Sequence, residues 1–312
     1  MLTLVLAAAS FTKPVVAKDK EEVEIPKPEN IALETKDGVQ LRCTWYAGTL
    51  GKKSVPIIML HDWEGVRGEY ADIARKLQER GHAVIVPDLR GHGDSKTMMA
   101  RGVAKTIDLK RLGKAALVGM VEDIKTVKSF LREKNNAGEL NIEMLTVVAS
   151  GKTAIVAMTW AVADWNLPQF VNDVKQGKDV KALVLLSPER SFKGVTTSFA
   201  EKNGLFNGIR SPFTFSVMVL VGERSRKHEL TAETLYENIT RTRPELDENL
   251  TKDQVLKQKN HFFIRRDVSL QGTDLLDPDM RLELEKPIYG FVHYRLELKG
   301  DEYPWTNRTR GD

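Results

Sequence analysis

Two kinds of apolar pattern alternate along this chain, and together they predict a layered α/β fold. Short, nearly all-apolar and β-branched runs, typical of strands buried on both faces of a sheet, occur at 56–60, 82–86, 145–149, 180–186 and 213–221. Amphipathic or small-residue segments between them predict helices at 69–80, 114–134, 153–163 and 230–242. This order predicts a mostly parallel central sheet with helices on both faces.

The two ends of the pattern differ from its middle. Residues 31–34 and 39–46 flank an Asp37-Gly38 turn, which indicates an antiparallel hairpin at the start of the sheet. A weaker strand is expected at 261–268. The closing segment, 281–298, is expected to be helical but interrupted at Pro287, which cannot donate a backbone hydrogen bond.

Composition shifts divide the chain into four parts. Residues 1–11 are apolar and Val15-Val16-Ala17 follows, which predicts a signal peptide at 1–17 and export to the periplasm or beyond the cell. The apolar run is too short to span a bilayer. Residues 18–30 are charged, contain Pro26 and Pro28, and are expected to be a linker. The folded domain is expected at 31–299, followed by a loosely attached tail at 300–312.

Charge and cysteine content exclude several classes of function. The net charge is +4, but 47 Lys and Arg residues are interspersed with 43 Asp and Glu residues, so nucleic-acid binding is not indicated. Cys43 is the single cysteine, which excludes an intramolecular disulfide and a multi-cysteine metal site. No His-x-x-x-His spacing occurs, and the sequence predicts neither a metal site nor a cofactor.

The corner at 149–153, Ala-Ser-Gly-Lys-Thr, joins a predicted strand to a predicted helix. Its Gly151-Lys152-Thr153 matches the end of a phosphate-binding P-loop, G-x-x-x-x-G-K-[ST], but Thr146 stands where that motif has its first glycine. The corner also fits a nucleophile elbow, G-x-S-x-G, with Gly151 in the serine position. A P-loop-like phosphate binder therefore stays open as one alternative.

The segment 57–95 favours the second interpretation. It contains a strand, His61-x-x-x-Gly65, a helix, a strand and then Pro87-Asp-Leu-Arg-Gly-His-Gly-Asp-Ser95. In this combination and in the order of its elements, the chain resembles the α/β-hydrolase family, in its lipase-like and dienelactone-hydrolase-like branch. The resemblance implies an α/β-hydrolase fold and a Ser, acid and His triad, in that chain order.

The resemblance also assigns a position to each member of the triad, and each position holds an unreactive residue. The nucleophile position is Gly151, the acid position after the seventh strand is Ser225, and the histidine position is Gln271. Glycine has no side chain, a hydroxyl carries no charge, and an amide does not shuttle protons near neutral pH. These degenerate positions predict a protein without Ser-His-Asp catalysis.

Displaced residues offer an alternative. Ser150, Glu189 and either His228 or His261 have the chain order that a triad requires. Such a set would make the chain an active serine hydrolase that cleaves ester or amide bonds.

The rim of the former pocket and its oxyanion loop are expected to comprise His61, Asp62, Trp63, Glu64 and Lys152. His61 is expected to be a structural post, and a helix N-terminus at the corner suggests a small-molecule or anionic ligand. The main prediction is therefore a pseudo-hydrolase with a binding or interaction role. The sequence names no protein partner.

Overall fold

A computed structural model describes residues 24–168, 170–171, 174–206 and 215–308. Its main sheet has eight strands: β1 Glu29–Glu34, β2 Gln40–Tyr46, β3 Pro56–Leu60, β4 Ala83–Pro87, β5 Leu145–Ser150, β6 Val180–Leu186, β7 Ser216–Gly222 and β8 His261–Arg266. Every residue of β3 to β7 is buried, as their continuous apolar runs predict.

The strand order across the sheet is β1-β2-β4-β3-β5-β6-β7-β8. β1 pairs antiparallel with β2, and β2 pairs antiparallel with β4. The remaining neighbours, from β4 to β8, are parallel. The carboxyl ends of the parallel strands therefore meet at one edge, where α/β proteins bind ligands.

The helices are α1 Ala71–Glu79, α2 Lys114–Asn136, α3 Thr153–Asn166, α4 Ser198–Glu201, α5 Arg226–Thr240, α6 Lys252–Gln258 and α7 Glu285–Arg295. Apolar residues of α2, α3 and α5 pack on one face of the sheet. Those of α1 and α7 pack on the other face. The layered architecture and the antiparallel start of the sheet are thus as predicted.

Local differences have local causes. The expected interruption of the closing helix at Pro287 is wrong, because α7 begins at Glu285 and places Pro287 in its first turn. A backbone N–H there has no acceptor within the helix, so proline removes no hydrogen bond. The sequence pattern also missed short hairpins, among them those that pair 97–100 with 103–106 and 191–192 with 195–196.

The two ends of the described region are more firmly held than the composition suggests. Part of the expected linker is bound to the domain, since Gln78 Nε2 donates to the carbonyl of Pro26 and β1 already begins at Glu29. The expected loose tail is also wrong as far as residue 308. Arg308 is buried and its Nη2 lies 2.5 Å from both Glu143 Oε1 and Asp179 Oδ1. The predicted signal peptide at 1–17 lies outside the described residues, and export stays a prediction.

Candidate functional site

The strand-to-helix corner has the backbone geometry of a nucleophile elbow. β5 ends at Ser150 and α3 begins at Thr153. Gly151 lies between them with φ +50°, a left-handed conformation that side chains rarely adopt. Its N–H donates to the carbonyl of Leu186 at 2.9 Å, and its carbonyl accepts the N–H of Glu189 at 2.9 Å. Gly151 is therefore the residue at the sharp turn, where an elbow carries its nucleophile.

The carboxylate of Asp62 occupies the space beside this glycine. A Cβ atom added to Gly151 would lie 2.0 Å from Asp62 Oδ2 and 2.3 Å from Asp62 Cγ. Asp62 Oδ1 accepts the backbone N–H of Lys152 at 2.7 Å and that of Trp63 at 2.6 Å. An oxyanion hole in this fold is built from the N–H after the nucleophile and an N–H after the third strand. Asp62 therefore fills both the nucleophile's space and the oxyanion hole.

The electrostatics of Asp62 reflect this position. Burial raises the pKa of its carboxyl, the two backbone N–H donors and Lys152 oppose the rise, and Glu189 adds to it. The net direction is upward, so the ionised form is held at a cost despite two hydrogen bonds. A cation beside the free oxygen of Asp62 would reduce that cost.

His61 fixes the loop that carries Asp62. Its side chain is fully buried, and its Nε2 accepts the N–H of Leu89 at 3.0 Å. Nδ1 must then carry the proton, and it lies 2.7 Å from the carbonyl of Asp62. Burial lowers the pKa of His61, which keeps the ring neutral. His61 thus links the loop after β3 to the loop after β4, as expected of a structural post.

The two remaining triad positions, Ser225 and Gln271, hold neither the carboxylate nor the imidazole of a triad. Ser225 is the N-cap of α5, and its Oγ lies 2.7 Å from His228 Nδ1. Gln271 Nε2 donates to the carbonyl of Gly222 at 2.8 Å, while its buried Oε1 has no partner among the described residues. Ser225 is therefore in hydrogen-bond contact with the neighbouring His228, and Gln271 connects its own loop to the end of β7.

The structure brings together two of the displaced candidates and separates the other two. Glu189 Oε1 lies 3.7 Å from His228 Nε2 at the cleft. Glu189 does not pair with the adjacent Arg190, which pairs instead with Glu201. His261 begins β8 at the opposite edge of the sheet, where its Nδ1 lies 2.7 Å from Tyr236 Oη.

Ser150 does not line the cleft. It is fully buried, and its Oγ has no hydrogen-bond partner among the described residues. A Cβ on Gly272 would lie 2.6 Å from this Oγ, so the loop at the histidine position covers it.

The P-loop alternative fails on the same segment. Thr146, which would begin the phosphate-binding loop, lies inside β5 and pairs with Ile57 of β3. Residues that form a regular strand between two partners cannot wrap a phosphate with their N–H groups. An anion bound at this corner would need the backbone N–H of Lys152. That N–H instead donates to Asp62 Oδ1.

A cleft of about 390 Å³ opens over the elbow. It is lined by Asp62, Trp63, Glu64, Gly65, Glu69, Gly151, Lys152, Ser187, Glu189, His228, Gln271, Gly272, Thr273 and Asp274. Four of the five predicted rim residues are in this set, and His61 lies behind it. Trp63 is 8% exposed, because the rings of Phe192 and His92 pack against it, with ring centroids 5.0 and 5.1 Å away.

Ser187 is the site residue that the sequence reasoning missed. It follows β6 with φ +45° and lines the cleft. It is 2% exposed, and its Oγ has no hydrogen-bond partner among the described residues. Its only sequence signal is a serine directly after a buried strand that ends at the ligand-binding edge.

The described ranges contain neither a cluster of potential metal ligands nor a membrane-spanning helix. No group of three or more His, Cys, Asp or Glu side chains there is arranged to hold a metal ion. No helix in those ranges is long and apolar enough to cross a membrane.

Comparisons with known proteins agree on the fold. A family model described as the alpha/beta hydrolase fold matches residues 55–186. No curated protein matches the chain. An esterase from Pyrococcus furiosus is similar, with 17% identity, a TM-score of 0.54 and coverage of 87% of this chain and 93% of the esterase.

Two further solved structures are similar over most of the chain. A dienelactone hydrolase from Anabaena variabilis has 11% identity and a TM-score of 0.56, covering 87% of this chain and 99% of its own. A carboxyl esterase from Bacillus coagulans has 12% identity and a TM-score of 0.56, with coverage of 85% and 98%. At these identities the likeness concerns the fold. The strand order, the elbow and the family model together show that this chain has the α/β-hydrolase fold.

Proposed function

We propose that this protein is a pseudo-hydrolase, which uses its cleft to bind a small molecule and does not cleave esters or amides by acyl transfer. One observation carries the proposal: the Asp62 carboxylate accepts both backbone N–H groups that would stabilise an oxyanion. Loss of a single such donor lowers kcat by about 100- to 1,000-fold in serine hydrolysis. Here both donors are engaged, and the bound group carries negative charge itself.

The cleft nevertheless keeps the dimensions of a binding site. Its volume of about 390 Å³ falls in the range of about 300–1,000 Å³ that small-molecule sites occupy. Polar groups from four loops converge on it, after β3, β5, β6 and β8. A binding function therefore requires only the cleft and its polar lining.

Fluorophosphonate labelling tests the proposal. The wild-type protein is expected to remain unlabelled and to leave short-chain aryl esters intact, with an active serine esterase as positive control. Labelling that disappears in Ser150→Ala would overturn both the proposal and the position of the elbow.

A second function is favoured by one specific contact. Ser225 Oγ lies 2.7 Å from His228 Nδ1, and His228 Nε2 lies 3.7 Å from Glu189 Oε1. These three groups form a serine, histidine and acid series beside the cleft, at a helix N-terminus that favours negative charge. A weak ester or amide hydrolase could use them.

The same labelling experiment separates this alternative from the first. A displaced triad predicts labelling that Ser225→Ala and His228→Gln abolish and that Ser150→Ala leaves intact. Unlabelled wild-type protein would remove the alternative.

A further inference from the structure

The lining of the cleft is strongly acidic, although the chain as a whole is basic. Five carboxylates (Asp62, Glu64, Glu69, Glu189 and Asp274) face one lysine, Lys152. With His228 neutral, five negative charges against one positive charge give −4, whereas the chain carries +4. Concentrated charge of one sign in a cleft raises the local concentration of ligands of the opposite sign.

Two of these carboxylates have oxygen atoms available for a ligand. Asp62 Oδ1 is held by two backbone N–H groups, whereas Oδ2 has no hydrogen-bond partner among the described residues. Among the described residues, the side-chain nitrogens nearest to Glu189 Oε1 are Lys227 Nζ and His228 Nε2, each at 3.7 Å, which is beyond hydrogen-bond distance. Glu69, in contrast, is satisfied by the N–H of Val66 and the hydroxyl of Thr273.

Ser187 supplies an independent indication of a ligand. Its hydroxyl is buried, lines the same cleft and has no hydrogen-bond partner in the described part of the chain. A buried polar group without a partner is costly, and about nine in ten such groups are satisfied in native proteins. A ligand that donates a hydrogen bond to Ser187 Oγ would remove this cost.

We infer that the cleft binds a small molecule through a primary ammonium group, with Asp62 Oδ2, Glu189 and Ser187 Oγ as its acceptors. This inference rests on the proposed binding function and specifies its ligand chemistry. An ammonium group has three donors and no acceptor, which matches three separate acceptors.

A titration with matched small molecules tests the inference. Calorimetry and thermal unfolding would compare n-butylammonium, 1-butanol and butyrate on the full-length protein at constant ionic strength. Butylammonium is expected to bind and to raise the melting temperature, whereas the alcohol and the anion are expected to do neither. Asp62→Asn and Glu189→Gln should each raise the Kd for butylammonium about tenfold or more, since each removes a charge-assisted contact.

Asp267→Asn is the matched control. It also removes one carboxylate, but Asp267 is exposed and paired with Arg224 outside the cleft. Its Kd should stay within about twofold of wild type, because exposed ion pairs contribute little. Absence of butylammonium binding, binding of butyrate in its place, or an unchanged Kd in Asp62→Asn would each overturn the inference.

The outcomes for the inference and for the proposed function are distinguishable. Fluorophosphonate labelling together with Asp62-dependent butylammonium binding would refute the proposed function and leave the ammonium site standing. An unlabelled protein that does not bind butylammonium would refute the ammonium site alone.

Discussion

Asp62 Oδ2 lies 2.0 Å from the point at which a side chain on Gly151 would begin. The two residues are far apart in sequence. Any residue other than glycine at 151 would clash with the Asp62 carboxylate in its present position. Only glycine leaves room for the carboxylate, and the carboxylate in turn accepts the N–H of Lys152, the residue after this glycine. The absence of a side chain at residue 151 and the binding of Asp62 to the N–H groups of Trp63 and Lys152 are thus one structural feature.

This pair predicts a strong energetic coupling. Gly151→Ala should destabilise the protein by about 3 kcal/mol, because it combines a left-handed backbone with displacement of a hydrogen-bonded carboxylate. In an Asp62→Ala background the clash is absent, and the same change should cost about 1–2 kcal/mol. Urea unfolding of the four proteins in this double-mutant cycle measures the difference.

Gly102→Ala controls for the backbone conformation alone. Gly102 also has a positive φ, +78°, but a Cβ there meets nothing within 4 Å. The loss of unfolding free energy in Gly102→Ala should resemble that of Gly151→Ala in the Asp62→Ala background. Additive effects of the two changes in the cycle would show that the carboxylate does not occupy the space beside residue 151.

The buried side chain of Arg308 predicts a large loss of stability from a substitution far from the cleft. Arg308→Ala should lower the free energy of unfolding by about 3–5 kcal/mol, because it leaves Glu143 and Asp179 buried without this cation. Arg111→Ala, which removes an arginine that is 88% exposed, should change stability by less than about 0.5 kcal/mol. Equal effects of the two variants in urea unfolding would mean that the tail is not docked.

His82 predicts a loss of stability in mild acid. Burial lowers its pKa to about 4, with an opposing contribution from Glu297, whose Oε1 lies 3.5 Å from His82 Nε2. A lowered pKa means that the unfolded chain binds the proton more tightly. Stability is therefore full above the unfolded pKa of about 6.5 and falls with pH until about 4.

His82→Gln should flatten this pH dependence. The slope of the unfolding free energy between pH 6.5 and 4 should decrease by up to about 1.4 kcal/mol per pH unit, since one proton is no longer taken up. Urea midpoints measured across that range provide the comparison. A slope identical to that of wild type would mean that His82 is already accessible to protons in the folded state.

The sequence predicted the strands and the corner because their signals are local. A run of buried β-branched residues and a Ser-Gly-Lys corner depend on neighbours within a few positions. The predicted triad positions, Gly151, Ser225 and Gln271, follow from the resemblance to the α/β-hydrolase family and from its chain order. All of them lie in the loops at one edge of the sheet.

The contents of the oxyanion hole could not be predicted in this way. Asp62 was recognised as a rim residue, but whether its side chain turns outward or toward Lys152 depends on the packing of two separate loops. The orphaned hydroxyl of Ser187 likewise depends on what surrounds it in the fold. The docking of Arg308 rests on partners 165 and 129 residues away, which no local pattern reports.

Backbone amide titration by NMR tests the occupied oxyanion hole most directly. The N–H resonances of Lys152 and Trp63 should shift together between pH 3 and 7, with one midpoint above the ordinary aspartate pKa of about 3.9. Both shifts should vanish in Asp62→Asn and persist in Glu69→Gln, which alters a neighbouring carboxylate. Two amides that titrate independently, or that titrate unchanged in Asp62→Asn, would contradict a carboxylate bound in the oxyanion hole.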